Sequence, residues 1–192
     1  MKDSINIAIA GATGYIGLEL IKILSNHPKA KILYLCATKS IGKSIYHFDK
    51  RINKKNLPKI TKIEKTDWNK IDVLFTALPN GEAHKIVKTL PIKTKLIDLS
   101  ADFRLKNPNV YKKWYGNKHK STKLIPKSIY SITEFSKKKI GRYKIISCPG
   151  CYPTSIQIPL IPLIKENLIN TNNIIVDSKS GYSGAGKNIK KK

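Results

Sequence analysis

The sequence predicts an α/β fold built on a mainly parallel sheet, and three observations support this prediction. Short apolar runs recur at the length of buried strands, beginning with INIAIA at residues 5–10. A segment in which Ile16, Leu20 and Ile23 have helical spacing follows that first run. Glycine, proline and asparagine mark turns between the runs. Strands that alternate with helices in this way are typical of a parallel sheet with helices on its faces.

Each predicted element follows from its own pattern. Strands are predicted at 5–10, 31–37, near 60–63, 72–78, 95–101, 143–148 and 173–181. Helices are predicted at 14–26, from the turn at 79–81 to about Leu90, and at 152–168. Residues 103–140 have no clear periodicity, so no element is predicted there. Pro159 falls inside the last helix, where a proline costs about 3 kcal/mol unless the helix kinks.

Length and composition restrict the class of protein. The 192 residues are 41% hydrophobic, which allows one domain, or one domain and part of another, with a sizeable core. No apolar run approaches the roughly 20 residues of a membrane helix, and the apolar start is too short for a signal peptide. Three cysteines make no disulfide framework. We therefore expect a cytoplasmic protein with no membrane partner.

The formal net charge is +25, and a charge of this size also occurs in proteins that bind nucleic acid. Of the 37 basic residues, however, only Arg51, Arg104 and Arg142 are arginines, and the lysines are scattered. Recognition of nucleic acid uses arginine as well as lysine, whereas abundant Lys, Ile and Asn fit AT-rich coding. We expect no nucleic-acid partner, and a charge that attracts anionic metabolites.

A glycine-rich loop, GATGYIG, connects the first strand to the first helix. Glycines let the backbone turn tightly and approach a pyrophosphate, and the helix N-terminus supplies N–H groups. The spacing is G-x-x-G-x-x-G, and a plain tight turn is the alternative. The sequence thus predicts a Rossmann-type, doubly wound dinucleotide-binding domain. Its predicted cofactor-binding residues are Gly11, Thr13, Gly14, Tyr15, Ile16 and Gly17.

The end of the second strand indicates which dinucleotide binds. An acidic residue there favours NAD, because it binds the adenosine ribose. The chain instead continues with Thr38 and Lys39 and has no acid at this point. We expect these two residues to bind the 2′-phosphate of NADP; the alternative is a solvated surface lysine.

Cys148 and Cys151 form a C-x-x-C pair, for which three interpretations are open: a metal site, a redox pair, or one nucleophile with a neighbour. A zinc site needs four ligands, and neither Cys36 nor the four histidines supply a second pair, so we expect no metal. A thioredoxin-like redox pair belongs to a fold without an upstream dinucleotide loop.

Position favours the third interpretation. Cys151 follows a strand and Pro149-Gly150 and opens a helix, with Pro153 in the first turn. A helix N-terminus stabilises a thiolate, which is a good nucleophile. We expect Cys148, at the strand end, to be a small buried residue.

Five motifs occur in one order: GATGYIG, ALPNGEAH (77–84), DLSADFRL (98–105), PGCYPT (149–154) and KSGYSGAGK (179–187). Together they closely resemble the N-acetyl-γ-glutamyl-phosphate reductase family of arginine biosynthesis, and the resemblance runs from Ile5 to about Lys187. Aspartate-semialdehyde dehydrogenase shares the glycine loop and the cysteine, but DLSADFRL with PGCYPT points to the first family.

The resemblance implies an oxidoreductase that reduces N-acetylglutamyl 5-phosphate to the semialdehyde with NADPH, through a thioester on Cys151. Close relatives use a carrier-linked aminoadipyl phosphate, so the acyl group stays open. The resemblance adds four cofactor-binding residues: Ala77, Leu78, Pro79 and Ser180. It adds six for the substrate or its phosphate: Ser100, Arg104, Glu134, Ser183, Gly184 and Lys187. For Arg104, an ion pair with Asp98 or Asp102 is the alternative role, and Lys187 stands where the family usually has arginine.

The resemblance also implies a domain arrangement. Residues 1–147 correspond to the NADP-binding domain, and 148–192 to the beginning of an α+β catalytic and dimerisation domain. Family chains are about twice as long, assemble as homo-oligomers and carry a general acid–base histidine that none of the four histidines here matches. The alternatives are an NADP-binding module without turnover and an inactive fragment. A disulfide between Cys148 and Cys151 would block the nucleophile.

Overall fold

The computed structural model describes residues 4–52 and 56–186. Its strands are β1 (Ile5–Ala10), β2 (Ala30–Cys36), β3 (Ile60–Thr61), β4 (Val73–Thr76), β5 (Lys95–Asp98), β6 (Ser128–Tyr130) and β7 (Ile145–Ser147). Its α-helices are α1 (Tyr15–Leu24), α2 (Ala83–Ile86), α3 (Pro108–Tyr115), α4 (Thr133–Ile140) and α5 (Cys151–Lys165). Short 3₁₀ turns occupy several of the connections.

The seven described strands form one sheet in the order β3-β2-β1-β4-β5-β7-β6, and every neighbouring pair is parallel. The chain first moves outward from β1 through β2 to β3, and then returns to the other side of β1 with β4. This arrangement is a doubly wound α/β sheet, which confirms the predicted fold class. The reversal between β1 and β4 is the place where such sheets bind ligands.

The core lies on both faces of the sheet because β1 alternates its side chains between them. Ile7 and Ile9 pack into a cluster with Leu18 and Ile21 of α1. Ala8 and Ala10 face the opposite cluster, which includes Leu74, Leu96, Phe103 and Ile145. Because both faces of β1 are buried from Ile7 to Ala10, these four residues are all apolar.

The last residues of the seven strands are in register across the sheet. They are Thr61, Cys36, Ala10, Thr76, Asp98, Ser147 and Tyr130, in spatial order. We call this row the carboxyl edge. The loops that carry GATGYIG, ALPNGEAH, DLSADFRL and PGCYPT leave the sheet at this edge, so these motifs, distant in sequence, meet there.

Residues 103–140 contain three elements that periodicity did not predict: α3, β6 and α4. The ends of α3 carried local signals, because Asn107 caps the helix, Pro108 begins it and Gly116 ends it at φ +75°. Only Tyr111 of α3 is buried, however, so the helix has no apolar stripe. The short β6 exists through its pairing with β7.

The predicted strand at 173–181 is wrong: in the described part of the chain, residues 174–181 form no strand. Ile174, Ile175 and Val176 are exposed, and Ile175 is 96% exposed. A strand forms its hydrogen bonds to a neighbouring strand, and no described strand pairs with this segment. An apolar, β-branched sequence is therefore not sufficient for a strand.

The helix α5 is continuous from Cys151 to Lys165 although Pro159 and Pro162 lie inside it. Each proline lacks an N–H donor, so two intrahelical hydrogen bonds are missing. None of the helices in the described residues is long and apolar enough to cross a membrane.

Candidate functional site

The glycine loop is packed between α1 and the end of β4. Gly11 has φ +85°, and a Cβ on it would overlap the carbonyl oxygen of Ala77. A Cβ on Gly17 would overlap the carbonyl oxygen of Gly11. Because both obstacles are backbone atoms that cannot rotate away, only glycine fits at these two positions. The spacing of the loop therefore follows from close backbone contacts.

The backbone of the glycine loop is hydrogen-bonded to the end of β2 and leads into the start of α1. The N–H groups of Gly11 and Ala12 donate to the carbonyl of Cys36, at 2.9 and 3.0 Å. Gly14 is the N-cap of α1, where no side chain caps the helix, and its added Cβ would meet only the Gly11 carbonyl oxygen, at 3.4 Å. A helix N-terminus without a side-chain cap is suited to a pyrophosphate, so these residues fit a dinucleotide.

The two residues predicted to select NADP lie in the loop after β2, and β2 is the strand next to β1. Thr38 and Lys39 are both exposed, and Ser40 has a left-handed φ of +64°. Gly42 N–H donates to the carbonyl of Ile60, at 2.8 Å, which closes this turn against β3. A lysine and a hydroxyl are thus free of the core beside the glycine loop.

The residues predicted from ALPNGEAH lie beside the loop as well. Ala77 N–H donates to the carbonyl of Ala10, at 2.8 Å, and extends the β1–β4 pairing by one residue. Leu78 is half-buried, Pro79 is exposed, and Gly81 turns the chain at φ +92°. The structure therefore brings the ends of β1 and β4 together.

Asp98 organises the turn after β5. Its Oδ1 accepts hydrogen bonds from the Thr76 hydroxyl (2.8 Å), the Ser100 N–H (3.0 Å) and the Ser100 hydroxyl. Its Oδ2 has no partner, and neither has the hydroxyl of Ser147, the in-register residue on β7. Burial raises the pKa of the Asp98 carboxyl. Ser100 is buried and its hydroxyl is engaged by Asp98, so it supports this turn in the structure.

Arg104 joins the ends of β5 and β7. Its Nε donates to the carbonyl of Cys148 (2.9 Å) and its Nη2 to the carbonyl of Leu99 (3.2 Å). Among the described residues no ion pair joins Arg104 to Asp98 or Asp102. The partners of the guanidinium are backbone carbonyls, and the alternative role, an ion pair with one of these carboxylates, is not observed. Nη1 would lie 3.3 Å from a Cβ on Gly150. The guanidinium thus reaches the residue before the predicted nucleophile.

The two cysteines of the C-x-x-C pair have different environments. Cys151 is the first residue of α5, as predicted, and it is exposed. Cys148 is half-buried, and burial with the nearby Asp98 charge raises the pKa of its thiol to about 11, although Arg104 opposes this shift. All three cysteines are free, so the structure contains no disulfide between Cys148 and Cys151. Cys151 is the accessible thiol of the pair.

The YSGA turn lies against the start of α1. A cleft of about 500 Å³ has Tyr15, Ile16, Leu99, Ser183 and Gly184 among its lining residues. A larger cleft, about 670 Å³, lies at the amino end of β2, away from the motifs. Residues from three predicted motifs therefore meet at the carboxyl edge.

Two further predicted residues, Ser180 and Glu134, do not line this cleft. Ser180 is exposed, and its hydroxyl lies where a Cβ on Gly184 would be. Glu134 is exposed in the first turn of α4. Lys187 lies outside the described residues. Within the described residues no cluster of three or more His, Cys, Asp or Glu side chains is arranged to hold a metal ion.

Sequence reasoning did not identify Asp102 as part of the site. Its carboxylate is fully buried and accepts hydrogen bonds from Gly81, His84 and Tyr111. These donors are 9 to 21 residues away in sequence. No local spacing signals contacts of that kind; the one available signal was the joint presence of ALPNGEAH and DLSADFRL.

Comparison with known proteins decides the family. The family model for the semialdehyde dehydrogenase NAD binding domain matches residues 6–143. The chain belongs to the semialdehyde dehydrogenase family. The model for the dimerisation domain of semialdehyde dehydrogenases matches residues 151–192.

A curated relative of the chain confirms the resemblance inferred from the motifs. The chain is 46% identical over 191 residues to a protein of Ehrlichia canis named N-acetyl-gamma-glutamyl-phosphate reductase. The match covers 99% of this chain and 55% of that protein. The chain spans about half the length of the curated relatives it matches.

Solved structures of semialdehyde dehydrogenases share the fold. Aspartate semialdehyde dehydrogenase II from Vibrio cholerae superimposes with a TM-score of 0.60 at 19% identity, over 85% of this chain and 43% of that one. The Candida albicans aspartate semialdehyde dehydrogenase, solved with NADP, gives a TM-score of 0.53 at 21% identity, over 85% and 47%.

Proposed function

We propose that this protein is an NADPH-dependent N-acetyl-γ-glutamyl-phosphate reductase of arginine biosynthesis. It would convert N-acetylglutamyl 5-phosphate to N-acetylglutamate 5-semialdehyde and phosphate. The observation that carries the proposal is the position of Cys151: an exposed thiol at the first residue of α5, on the sheet edge that also carries the glycine loop. The name of the Ehrlichia canis relative supports the same assignment.

The cofactor assignment rests on the glycine loop and on the turn after β2. Gly11, Gly14 and the first turn of α1 would hold the pyrophosphate. Thr38 and Lys39 would hold a 2′-phosphate, which favours NADP over NAD because no acid follows β2. When bound, NADPH supplies the hydride that reduces the acyl group. A family relative solved with NADP supports this choice.

The chemistry of this chain's own residues begins with Cys151. Its thiolate attacks the acyl carbon, a carbon–sulfur bond forms, and the bond from that carbon to the phosphate oxygen breaks. Phosphate leaves as an anion, and the acyl group stays on Cys151 as a thioester. The carbon–sulfur bond breaks again when the aldehyde is released. Cys148 is less suited to this step, because it is half-buried and burial raises the pKa of its thiol to about 11.

Anion-binding groups would hold the substrate beside Cys151. The Nη1 of Arg104 is directed to Gly150 and is not used in the two carbonyl hydrogen bonds. Ser183 and Gly184 line the cleft next to α1, and Lys187 follows them. Ser100 and Glu134 would act differently: Ser100 stabilises the turn after β5, and Glu134 on α4 would position the substrate without binding its phosphate.

The organisation of the whole protein is part of the proposal. Residues 1–147 form the NADP-binding domain and 148–192 begin the catalytic and dimerisation domain, so the active protein is a homo-oligomer. The dimerisation-domain match supports this division. A reducing compartment, which we propose is the cytoplasm, suits the three free cysteines.

The test uses the protein as its gene encodes it. With N-acetylglutamate semialdehyde and phosphate present, we expect reduction of NADP⁺, measured by absorbance, and none when phosphate is omitted. Cys151→Ala should remove this activity, whereas the matched variant Cys148→Ala should keep it. Activity in Cys151→Ala would contradict the mechanism. NADPH binding without turnover in the wild type would instead support the alternative, a binding module. Faster turnover with a carrier-linked aminoadipate semialdehyde would reassign the substrate.

A further inference from the structure

Asp102 is fully buried in the turn after β5, and its carboxylate bonds to groups distant in sequence. Oδ1 accepts a hydrogen bond from the Gly81 N–H and another from the Tyr111 hydroxyl, both at 2.7 Å. Oδ2 accepts one from the His84 N–H, at 3.1 Å. A buried carboxylate with three donors is well satisfied, and two of the three belong to one turn.

That turn begins α2. The first N–H groups of a helix have no partner within the helix and need an acceptor from outside. Glu82, the N-cap residue of α2, provides no side-chain hydrogen bond. Asp102 supplies an acceptor for the His84 N–H, from 18 residues away, and also accepts from the N–H of Gly81, just before the helix. The left-handed φ of +92° at Gly81 directs that N–H into the turn.

The turn continues directly from the strand end proposed to contact the cofactor. Ala77 donates to the carbonyl of Ala10 at 2.8 Å, and its own carbonyl packs on Gly11. The Asp102 carboxylate therefore contacts Gly81, Ala77 contacts Gly11, and residues 78–80 join these two contacts through the chain. A shift of the turn would move the strand end relative to the glycine loop.

We infer that Asp102 is a positioning residue for the dinucleotide, because its carboxylate holds the turn at 79–84 and so the strand end at 77–79. The inference rests on the proposed function and specifies how that binding site is built. Asp102 is 0% exposed, so it acts through the turn and does not touch the cofactor.

Two variants separate positioning from general stability. In Asp102→Asn, the amide oxygen still accepts from Gly81 and Tyr111, but the amide NH₂ faces the His84 N–H, donor against donor. Tyr111→Phe removes the third donor and leaves both hydrogen bonds to the turn. Tyr111 is buried, so this variant reports the loss of a hydrogen bond on the same carboxylate.

The measurement is the Kd for NADPH by fluorescence titration, with the melting temperature recorded in parallel on the protein as its gene encodes it. We expect Asp102→Asn to raise the Kd about tenfold, and to raise the KM for NADPH without changing that for the acyl phosphate. Tyr111→Phe should lower the melting temperature and keep the Kd within about twofold of wild type.

Equal Kd values for Asp102→Asn and wild type would overturn the inference and leave the proposed function standing. An equal rise of the Kd in both variants would also overturn it, because general loosening would then explain the effect. A wild-type protein that does not bind NADPH would overturn both the inference and the proposed function.

Discussion

The carbonyl oxygen of Ala77 occupies the place that a Cβ on Gly11 would take. The N–H of the same Ala77 donates to Ala10, the residue before the glycine, at 2.8 Å. The glycine loop and the end of β4 are therefore built against each other. This contact explains why the first glycine is required even before a cofactor is considered.

Gly11→Ala should destabilise the fold and weaken NADPH binding. The substitution combines a left-handed φ of +85° with a backbone overlap, and the backbone must move to relieve it. We expect a loss of more than about 3 kcal/mol in the free energy of unfolding, measured by urea titration.

Gly42→Ala is the matched control for Gly11→Ala. Gly42 has a similar φ of +82°, but a Cβ there meets nothing within 4 Å. Gly42→Ala should therefore lower the free energy of unfolding only by the strain of the left-handed φ, about 1–2 kcal/mol. Equal losses for the two variants would contradict the role of the contact with Ala77.

Thiol labelling should distinguish the three cysteines in the native protein. Cys151 is exposed, Cys36 is buried, and burial raises the pKa of Cys148 to about 11. Iodoacetamide at pH 7.5, followed by peptide mass spectrometry, should modify Cys151 at least tenfold faster than the other two. All three should react at similar rates in urea. Preferential labelling of Cys148 in the native protein would contradict the assignment of the nucleophile.

Asp98→Asn should stabilise the protein at alkaline pH relative to wild type. Burial raises the pKa of Asp98 above its unfolded value, so the folded state binds this proton more tightly. The stability contribution is therefore present at pH values below the unfolded pKa, about 3.9, and is lost as the pH rises through the folded pKa. Asparagine keeps an acceptor for Thr76 and Ser100 and has no charge.

Urea unfolding at pH 4 and pH 8 tests this prediction for Asp98. The two proteins should have similar stability at pH 4, and the variant should be more stable by about 1 kcal/mol at pH 8. If Asp98→Asn is less stable than wild type at pH 8 but not at pH 4, the hydrogen-bond donors stabilise the Asp98 carboxylate. That result would contradict the prediction.

The buried histidines should make the protein less stable as the pH falls, whereas the contribution of Asp98 is lost as the pH rises. Burial lowers the pKa of His84 and of His119, although Asp102 opposes both shifts. In His119, Nδ1 accepts from the Ser121 N–H (3.2 Å), and Nε2 bonds to the carbonyl of Asp102 (2.9 Å), so a second proton has no acceptor. The unfolded chain binds more protons below pH 6.5, so stability should fall as the pH falls below that value.

The variant His119→Gln should reduce this pH dependence, because glutamine offers a donor and an acceptor without titrating. The matched control is His47→Gln, since His47 is exposed. The free energy of unfolding between pH 7.5 and pH 5 is the measurement. An unchanged slope in His119→Gln, or an equal change in His47→Gln, would contradict the role of the buried ring.

The sequence by itself determined the parts of this protein that depend on local pattern. Short apolar runs predicted β1, β2, β4, β5 and β7, and the strand predicted near 60–63 is β3. Gly11 and Gly17 marked the dinucleotide loop, and Pro149-Gly150 before Cys151 marked the start of α5. These signals are local because backbone conformation and burial periodicity are properties of neighbouring residues.

Tertiary structure alone decided the parts that depend on a distant partner. It gave β6 a neighbour in β7 and gave residues 174–181 none among the described strands. It also directed Arg104 to a carbonyl 44 residues away and Asp102 to an N–H 21 residues away. Strand pairing and buried polar contacts follow from proximity in space, which sequence spacing does not encode.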